Sequence, residues 1–433
     1  MQRWTRSTGY PILSVEEVLG APSGYRRFKV TQSRFGAVPK GESTKAGVWQ
    51  VPVQILTEAG HRATTLLTET TALVDVQATA THWVSFNAHQ SGFYRLSYTG
   101  ELLVNLARGV RESTLPAADC LGLLSDTRAI ASRGDAAGNT SLAPTLLLLN
   151  QFDSAIVIGV DLAVLQELCL NLRTLLIDVS DLADDEPELV QRVRELAIRV
   201  VSPVATLLGW TAVKGEASTD MVKRSTVLST LALAKHEPTL EEAQRRFTKE
   251  RASIPADLLG MVYKIYVKHH PDGEAAYEQM LKLYRGTDLA VEKRRCVLAL
   301  CKAKTKALQL RTLDWALNSG EVRTQDFGTV LSALSGTCGP TLTWNWFEKN
   351  FQKVQDRFTK GLSFVIGSIA SAVVGAQKTE ADAKKVEEFF KINPIPSAHR
   401  AIGQSLEKVR SHARGRARLQ AALRVALMSS EVV

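Results

Sequence analysis

Two spacings of apolar residues divide the chain. Over residues 1–98 they recur at every second position: Phe28, Val30 and Gln32 alternate with Lys29 and Thr31, while Trp49, Val51, Val53 and Ile55 form a second set. Trp83, Ser85 and Phe86 open a third run. A period of two puts one set of side chains on one face of a strand. The clusters Ala21-Pro22-Ser23-Gly24 and Pro39-Lys40-Gly41-Glu42-Ser43 separate these runs as turns do. Antiparallel strands forming a small all-β sandwich are therefore predicted for residues 1–98.

Past Gly100 the spacing becomes that of helices. Val227, Leu228, Leu231 and Ala234 share a face, as do Leu240, Ala243 and Phe247, and Leu258, Leu259, Val262, Tyr263 and Tyr266. Thr239 with Glu242 reads as a capping box, Pro255 precedes the Leu258 helix, and Gly286 with Asp288 separates two more. The spacing predicts helices of mostly about 10 to 18 residues joined by short polar turns. Each apolar stripe needs a neighbour to cover it, and pairs stacked in sequence supply one. The expectation for residues 99–433 is a HEAT/armadillo-like α-solenoid of stacked helix pairs, about eight pairs of about 40 residues each, with a concave side suited to binding.

Composition agrees with an ordinary globular protein: 45% hydrophobic and 22% charged residues exclude a disordered chain, and no apolar stretch reaches the ~20 residues of a membrane span. The formal charge of +9 is dispersed among acids except between Arg400 and Arg424, which reads as a solvated helix face rather than a nucleic-acid contact. The first residues lack the apolar core of a secretory signal, so a cytoplasmic location is expected. Cys120, Cys169, Cys296, Cys301 and Cys338 are scattered in apolar helical patterns, as reduced core thiols are.

The chemistry of hydrolysis is missing from the sequence. A zinc peptidase needs two histidines at i and i+4 with an intervening Glu, and no His-Glu-x-x-His occurs. His269 and His270, with Asp272 and Glu274, flank Pro271 and Gly273 and read as a solvated turn; His236-Glu237-Pro238 reads as another. Cys296 and Cys301 have the wrong spacing for a metal or redox pair. Phosphate-binding glycine loops and a nucleophile elbow are absent, and Ser335-Gly336-Thr337-Cys338-Gly339 reads as a turn between helices. Asn139-Thr140-Ser141 matches a glycosylation acceptor, a common chance motif. No metal, no cofactor and no catalytic residue are expected in this chain.

The order of segments carries a resemblance. Trp4-Thr5-Arg6, Gly9-Tyr10-Pro11, then Trp83-Val84-Ser85-Phe86-Asn87 and Gly92-Phe93-Tyr94-Arg95-Leu96-Ser97-Tyr98 resemble the gluzincin zinc aminopeptidases, most closely the puromycin-sensitive type. The likeness continues through Leu115-Pro116-Ala117-Ala118-Asp119 with Leu121-Gly122-Leu123 and Asp126. It extends to Glu321-Val322-Arg323 with Gln325-Asp326, the Trp344 to Phe351 segment, and Pro396-Ser397-Ala398-His399-Arg400 with Leu406-Glu407. One departure is Gly415, where relatives carry an aromatic residue in the last helices.

The resemblance implies a non-catalytic C-terminal fragment. Zinc, the catalytic base and amine recognition would belong to N-terminal catalytic domains of the same aminopeptidase. This chain would form a bowl enclosing the peptide chamber, contributing to substrate selection and to an open-to-closed motion. Basic side chains in such a chamber attract a peptide's distal carboxylate, which makes Arg323 and Arg400 the candidate substrate contacts; the alternative for each is helix-to-helix hydrogen bonding or capping. Core packing is expected for Trp4, Trp83, Trp344 and Trp346, and fixing of a strand at the sandwich–solenoid junction for Gly92-Phe93-Tyr94-Arg95. Peptides are the expected partners, with neither nucleic acid nor membrane. The rival is a stand-alone solenoid scaffold for protein partners; a weaker rival, nucleic-acid binding through the last helices, predicts steep salt dependence. The aminopeptidase reading predicts apolar surface on the sandwich and first helices.

Overall fold

The computed structural model describes residue 4 and residues 9–35, 48–133, 141–183, 185–358 and 363–428. Thr5, Arg6, the 39–43 turn cluster, Asn139 and Thr140 lie outside the described residues, as does the Cys338 side chain.

Seven strands make two sheets. Strands β1 (Tyr10–Val18), β2 (Tyr25–Phe35), β5 (Thr71–Gln77) and β7 (Arg95–Tyr98) form one, in the order β5-β2-β1-β7. Strands β3 (Val51–Thr57), β4 (Arg62–Leu67) and β6 (Val84–Ser85) form the other, in the order β4-β3-β6. All pairings are antiparallel except β1 with β7, where Ile12 faces Arg95 and Val15 faces Tyr98.

The alternation read from the sequence is the alternation of burial: Arg26, Phe28, Val30 and Gln32 are buried along β2, as are Val51, Val53 and Ile55 along β3. The Phe28 and Phe86 rings meet edge-on at 5.1 Å. Gln32 belongs to this inward set because its amide is fully used. It donates to the carbonyls of Trp49 (2.9 Å) and Glu69 (2.8 Å) and accepts from the Trp49 N–H (2.8 Å), which satisfies a polar group inside the core. The third run behaves differently. Trp83, Val84, Ser85 and Phe86 are all buried and only two residues form strand, because helices cover the face that would otherwise be wet.

The described residues contain seventeen α-helices in two compact units. The first unit comprises Met1–Trp210, Lys214–Ala234 and Gly415–Val433. It holds the sheets, α1 (Gly100–Arg111), α2 (Ala117–Arg133), α3 (Ala143–Leu149), α4 (Ser154–Gly159), α5 (Leu162–Asp178), α6 (Pro187–Leu208) and α7 (Ser218–Leu233). Here α2 packs on α5 and α5 on α7, with α6 against both α5 and α7.

The second unit comprises Thr211–Val213 and Lys235–Arg414. It holds α8 (Glu237–Lys249), α9 (Leu259–His269), α10 (Gly273–Arg285), α11 (Ala290–Leu300), α12 (Lys306–Asn318), α13 (Phe327–Cys338), α14 (Pro340–Phe358), α15 (Ser363–Gly375) and α16 (Glu380–Ile392). Helix α9 packs on α11, α11 on α13 and α13 on α15, while sequence neighbours pack as hairpins. Contacts one and two helices away are what a stack of helix pairs requires, so each unit is a stretch of α-solenoid. The last helix, α17 (His399–Met428), contributes to both units, and Gly415 lies within it.

Most of the described helices fall within the expected 10 to 18 residues, with extremes of 6 and 30. Two local expectations are corrected. Thr239 and Glu242 form no capping box, because α8 starts earlier, at Glu237, where Pro238 fits the first turn. Thr239 Oγ1 instead lies 2.9 Å from His236 Nδ1, and Glu242 is held by Arg245 and Arg246. A true capping box occurs at Thr379 with Asp382. Ser335 to Cys338 are the last turn of α13 rather than a linker; Gly339 alone breaks it, at φ +86°, before Pro340 opens α14.

Candidate functional site

The resemblance motif around residue 119 builds a junction. Asp119 and Asp126 are seven residues apart, two turns of α2, and so project from one face. Both are buried, at 3% and 5% exposure, on a helix that also buries Cys120, Leu123, Leu124 and Ile130. Asp119 accepts from the Ser85 hydroxyl (2.5 Å) and the His89 N–H (2.9 Å). Asp126 accepts from Arg95 Nη1 (2.7 Å) and the Leu96 N–H (2.9 Å). Two carboxylates on one helix thus bind the segment 85–96 to α2. Burial pushes the Asp126 carboxyl up to about 6, against the pull of Arg95 and the Leu96 N–H toward the ionised form.

Close approach completes this junction. A Cβ on Gly109 of α1 would stand 2.6 Å from the Trp83 ring, whose Nε1 donates to Thr114 Oγ1 at 3.0 Å. A Cβ on Gly122 of α2 would collide with the Gln90 side chain. Arg108 of α1 ties in Glu58 (2.6 Å) and the Thr81 carbonyl (2.7 Å). In the Gly92-Phe93-Tyr94-Arg95 motif, Tyr94 donates its hydroxyl to the Phe86 carbonyl and Arg95 also donates to the Tyr10 hydroxyl. Burial raises the Tyr94 and Tyr98 hydroxyls, so both stay protonated. Phe93 is the exception, 73% exposed beside the Tyr10 and Trp4 rings. The motif's polar groups are consumed in structure.

The two candidate arginines lie in the second unit. Arg323 stands before a 3-10 turn and pairs with Asp326 at 2.7 Å, while its neighbour Glu321 pairs with Arg285. Arg400 is exposed in the first turn of α17 and, among the described residues, makes no hydrogen bond or ion pair. Trp344, Phe347 and Phe351 pack with Phe389 and Phe390, and Trp83 and Trp346 are also buried; Trp4 is half-buried.

His269 ends α9, His270 caps it, and Asp272 caps α10 by accepting from the Ala275 N–H. Among the described residues no group of three His, Cys, Asp or Glu side chains is placed to hold a metal ion. Cys120, Cys169, Cys296 and Cys301 are buried free thiols, with Cys120 pushed up to about 12 and Cys169 to about 11 by burial.

Sequence reasoning missed Arg224, 1% exposed on α7. It pairs with Glu216 at 2.6 Å and donates to the carbonyls of Leu208 and Gly209, closing the C-terminal end of α6. An arginine among Val227, Leu228 and Leu231 on one face was the available signal.

These features define a β-sandwich docked on a helical repeat domain with no metal centre of its own among the described residues. Residues 83–411 match the ERAP1-like C-terminal domain family, and the chain belongs to it. It is 30% identical over 427 residues to aminopeptidase M1-A of Oryza sativa subsp. japonica, covering 96% of this chain and 46% of that protein. It is 30% identical over 438 residues to aminopeptidase M1 of Arabidopsis thaliana, covering 95% and 47%. The puromycin-sensitive aminopeptidase of Caenorhabditis elegans is more distant, at 22% over 431 residues, covering 96% and 44%. The expected leaning toward the puromycin-sensitive type is thus a distant likeness. The chain spans a little under half the length of these relatives. No helix among the described residues is long and apolar enough to cross a membrane.

Proposed function

We propose that this chain is the non-catalytic C-terminal portion of a zinc aminopeptidase, with residues 1–98 as its sandwich and 99–433 as its solenoid. Its role is to enclose the peptide chamber and to take part in its opening and closing, in a cytoplasmic protein whose zinc is held by catalytic domains. The observation that carries this reading is the family match over 83–411 together with aminopeptidase relatives aligned along almost the whole chain. Exposed apolar side chains support it: Leu19, Leu66, Leu73, Phe93 and Val104 lie on the sandwich and first helix, where a catalytic domain would cover them.

Mixing the purified chain with the catalytic domains of the same aminopeptidase tests the reading. Release of amino acids from peptides should require the catalytic domains, be abolished by a chelator, and change in peptide-length preference when this chain is added. Chelator-sensitive release by this chain alone would overturn the proposal. Within the chamber, Arg400, and Arg323 if it leaves Asp326, are the proposed contacts for the distal carboxylate of a peptide. Arg400→Ala and Arg323→Ala in the assembled enzyme should weaken the preference for free over C-terminally amidated peptides; unchanged preference rejects the role.

A further inference from the structure

Lysines lie in or beside three successive helix-to-helix turns of the second unit. Lys235 precedes α8, Lys264 and Lys268 lie one turn apart on α9 with His269 after them, and Lys302 and Lys304 lie between α11 and α12. Helix α9 packs against both α8 and α11, the helices next to the Lys235 and Lys304 turns, and His269 feels the charges of Lys268, Lys235 and Lys304. The Lys304 stem passes over Gly273, where an added Cβ would be 3.5 Å away.

Among the described residues Lys235, Lys264, Lys268 and Lys304 make no hydrogen bond or ion pair. Lys302 donates to Thr337 Oγ1 at 2.7 Å. Of the neighbouring acids, Glu274 pairs with Arg311, while Asp272 caps α10 and Glu237 acts on His269, so both keep their negative charge beside the lysines. Desolvation lowers Lys264, which is half-buried; it also lowers Lys268, although that side chain remains exposed, and Lys235 adds to the effect. Desolvation and the same cations lower His269.

We infer that this edge binds an acidic peptide segment, the carboxylates of which pair with Lys235, Lys264, Lys268 and Lys304. The shape favours an extended chain over a compact anion. Three adjacent turns about 10 Å apart span about 20 Å, the reach of about six extended residues. Where the chain acts on peptides as proposed above, the edge gives a preference for acid-rich ones; the binding itself does not depend on catalysis.

The test is fluorescence anisotropy of the 433-residue chain with a labelled Glu/Asp-rich hexapeptide and its Gln/Asn counterpart, both C-terminally amidated. The acidic peptide should bind at least tenfold more tightly at low salt, and the difference should shrink at 0.5 M salt, where screening acts within about 4 Å. Lys264→Gln with Lys268→Gln and Lys304→Gln should remove the difference, whereas Lys349→Gln with Lys353→Gln on α14 should keep it; circular dichroism confirms folding of both. Equal binding of the two peptides, or unchanged discrimination in the triple variant, overturns the inference. A labelled hexathymidylate that binds more tightly through the same lysines overturns the peptide assignment in favour of nucleic acid. Loss of acid preference with intact length selection by the assembled enzyme would sink this inference alone, and the reverse result would sink the aminopeptidase reading alone.

Discussion

Arg95 and Asp126 meet at 2.7 Å, joining the last strand to the second helix, and the same carboxylate accepts the neighbouring Leu96 N–H. Removing it leaves a guanidinium and an amide without their acceptor. Asp126→Ala is expected to cost about 3–5 kcal/mol, the scale for breaking one side of a buried pair. A urea midpoint close to that of the unaltered protein would contradict this.

The same carboxyl has a pH signature. With its folded value pushed up to about 6, the native state holds this proton more tightly than the unfolded chain, whose carboxyl titrates near ~4. Its contribution to stability is therefore full below ~4 and is lost as pH rises to about 6. Asp126→Asn cannot titrate, so the difference in unfolding free energy between it and the unaltered protein should vary across this window and level off above it. A constant difference would place the group at an ordinary carboxylate value.

Gly109→Ala and Gly122→Ala should differ although both crowd a neighbour. The added methyl at Gly109 meets the buried Trp83 ring, which is fixed by Thr114 and expected to resist at a cost of about 1–3 kcal/mol. At Gly122 it meets the end of the Gln90 side chain, which can rotate away. Melting temperatures should rank Gly109→Ala below Gly122→Ala; the opposite order would mean that Trp83 has room to move.

Two arginine substitutions separate buried from exposed pairs. Arg224→Ala removes a buried ion pair to Glu216 and the donor to the Leu208 and Gly209 carbonyls, for an expected loss of about 3 kcal/mol or more. Arg323→Ala removes an exposed pair three residues apart and is expected to cost less than about 0.5 kcal/mol. Chemical denaturation of the two variants side by side measures the contrast.

Much of the architecture was legible because burial follows chemical period. The alternation at Phe28, Val30 and Gln32 and the helical stripe at Val227, Leu228 and Leu231 both appear as buried faces. Boundaries were less legible where two local rules competed, as at Thr239, where the Pro238 first turn overrode a plausible cap. The candidate contacts were legible only as residue types: Arg323 and Arg400 look alike in sequence, yet one is paired and the other is not.

The sequence by itself determined the two classes of element, their order, and the lack of a His-Glu-x-x-His motif, since each depends on residues near one another along the chain. Only the tertiary structure decided that Asp119 and Asp126 are buried acceptors, that Arg224 closes a helix end, and that Lys304 from one turn passes over Gly273 of another. Those outcomes depend on pairing and desolvation across tens of residues, and neither is a property of local spacing.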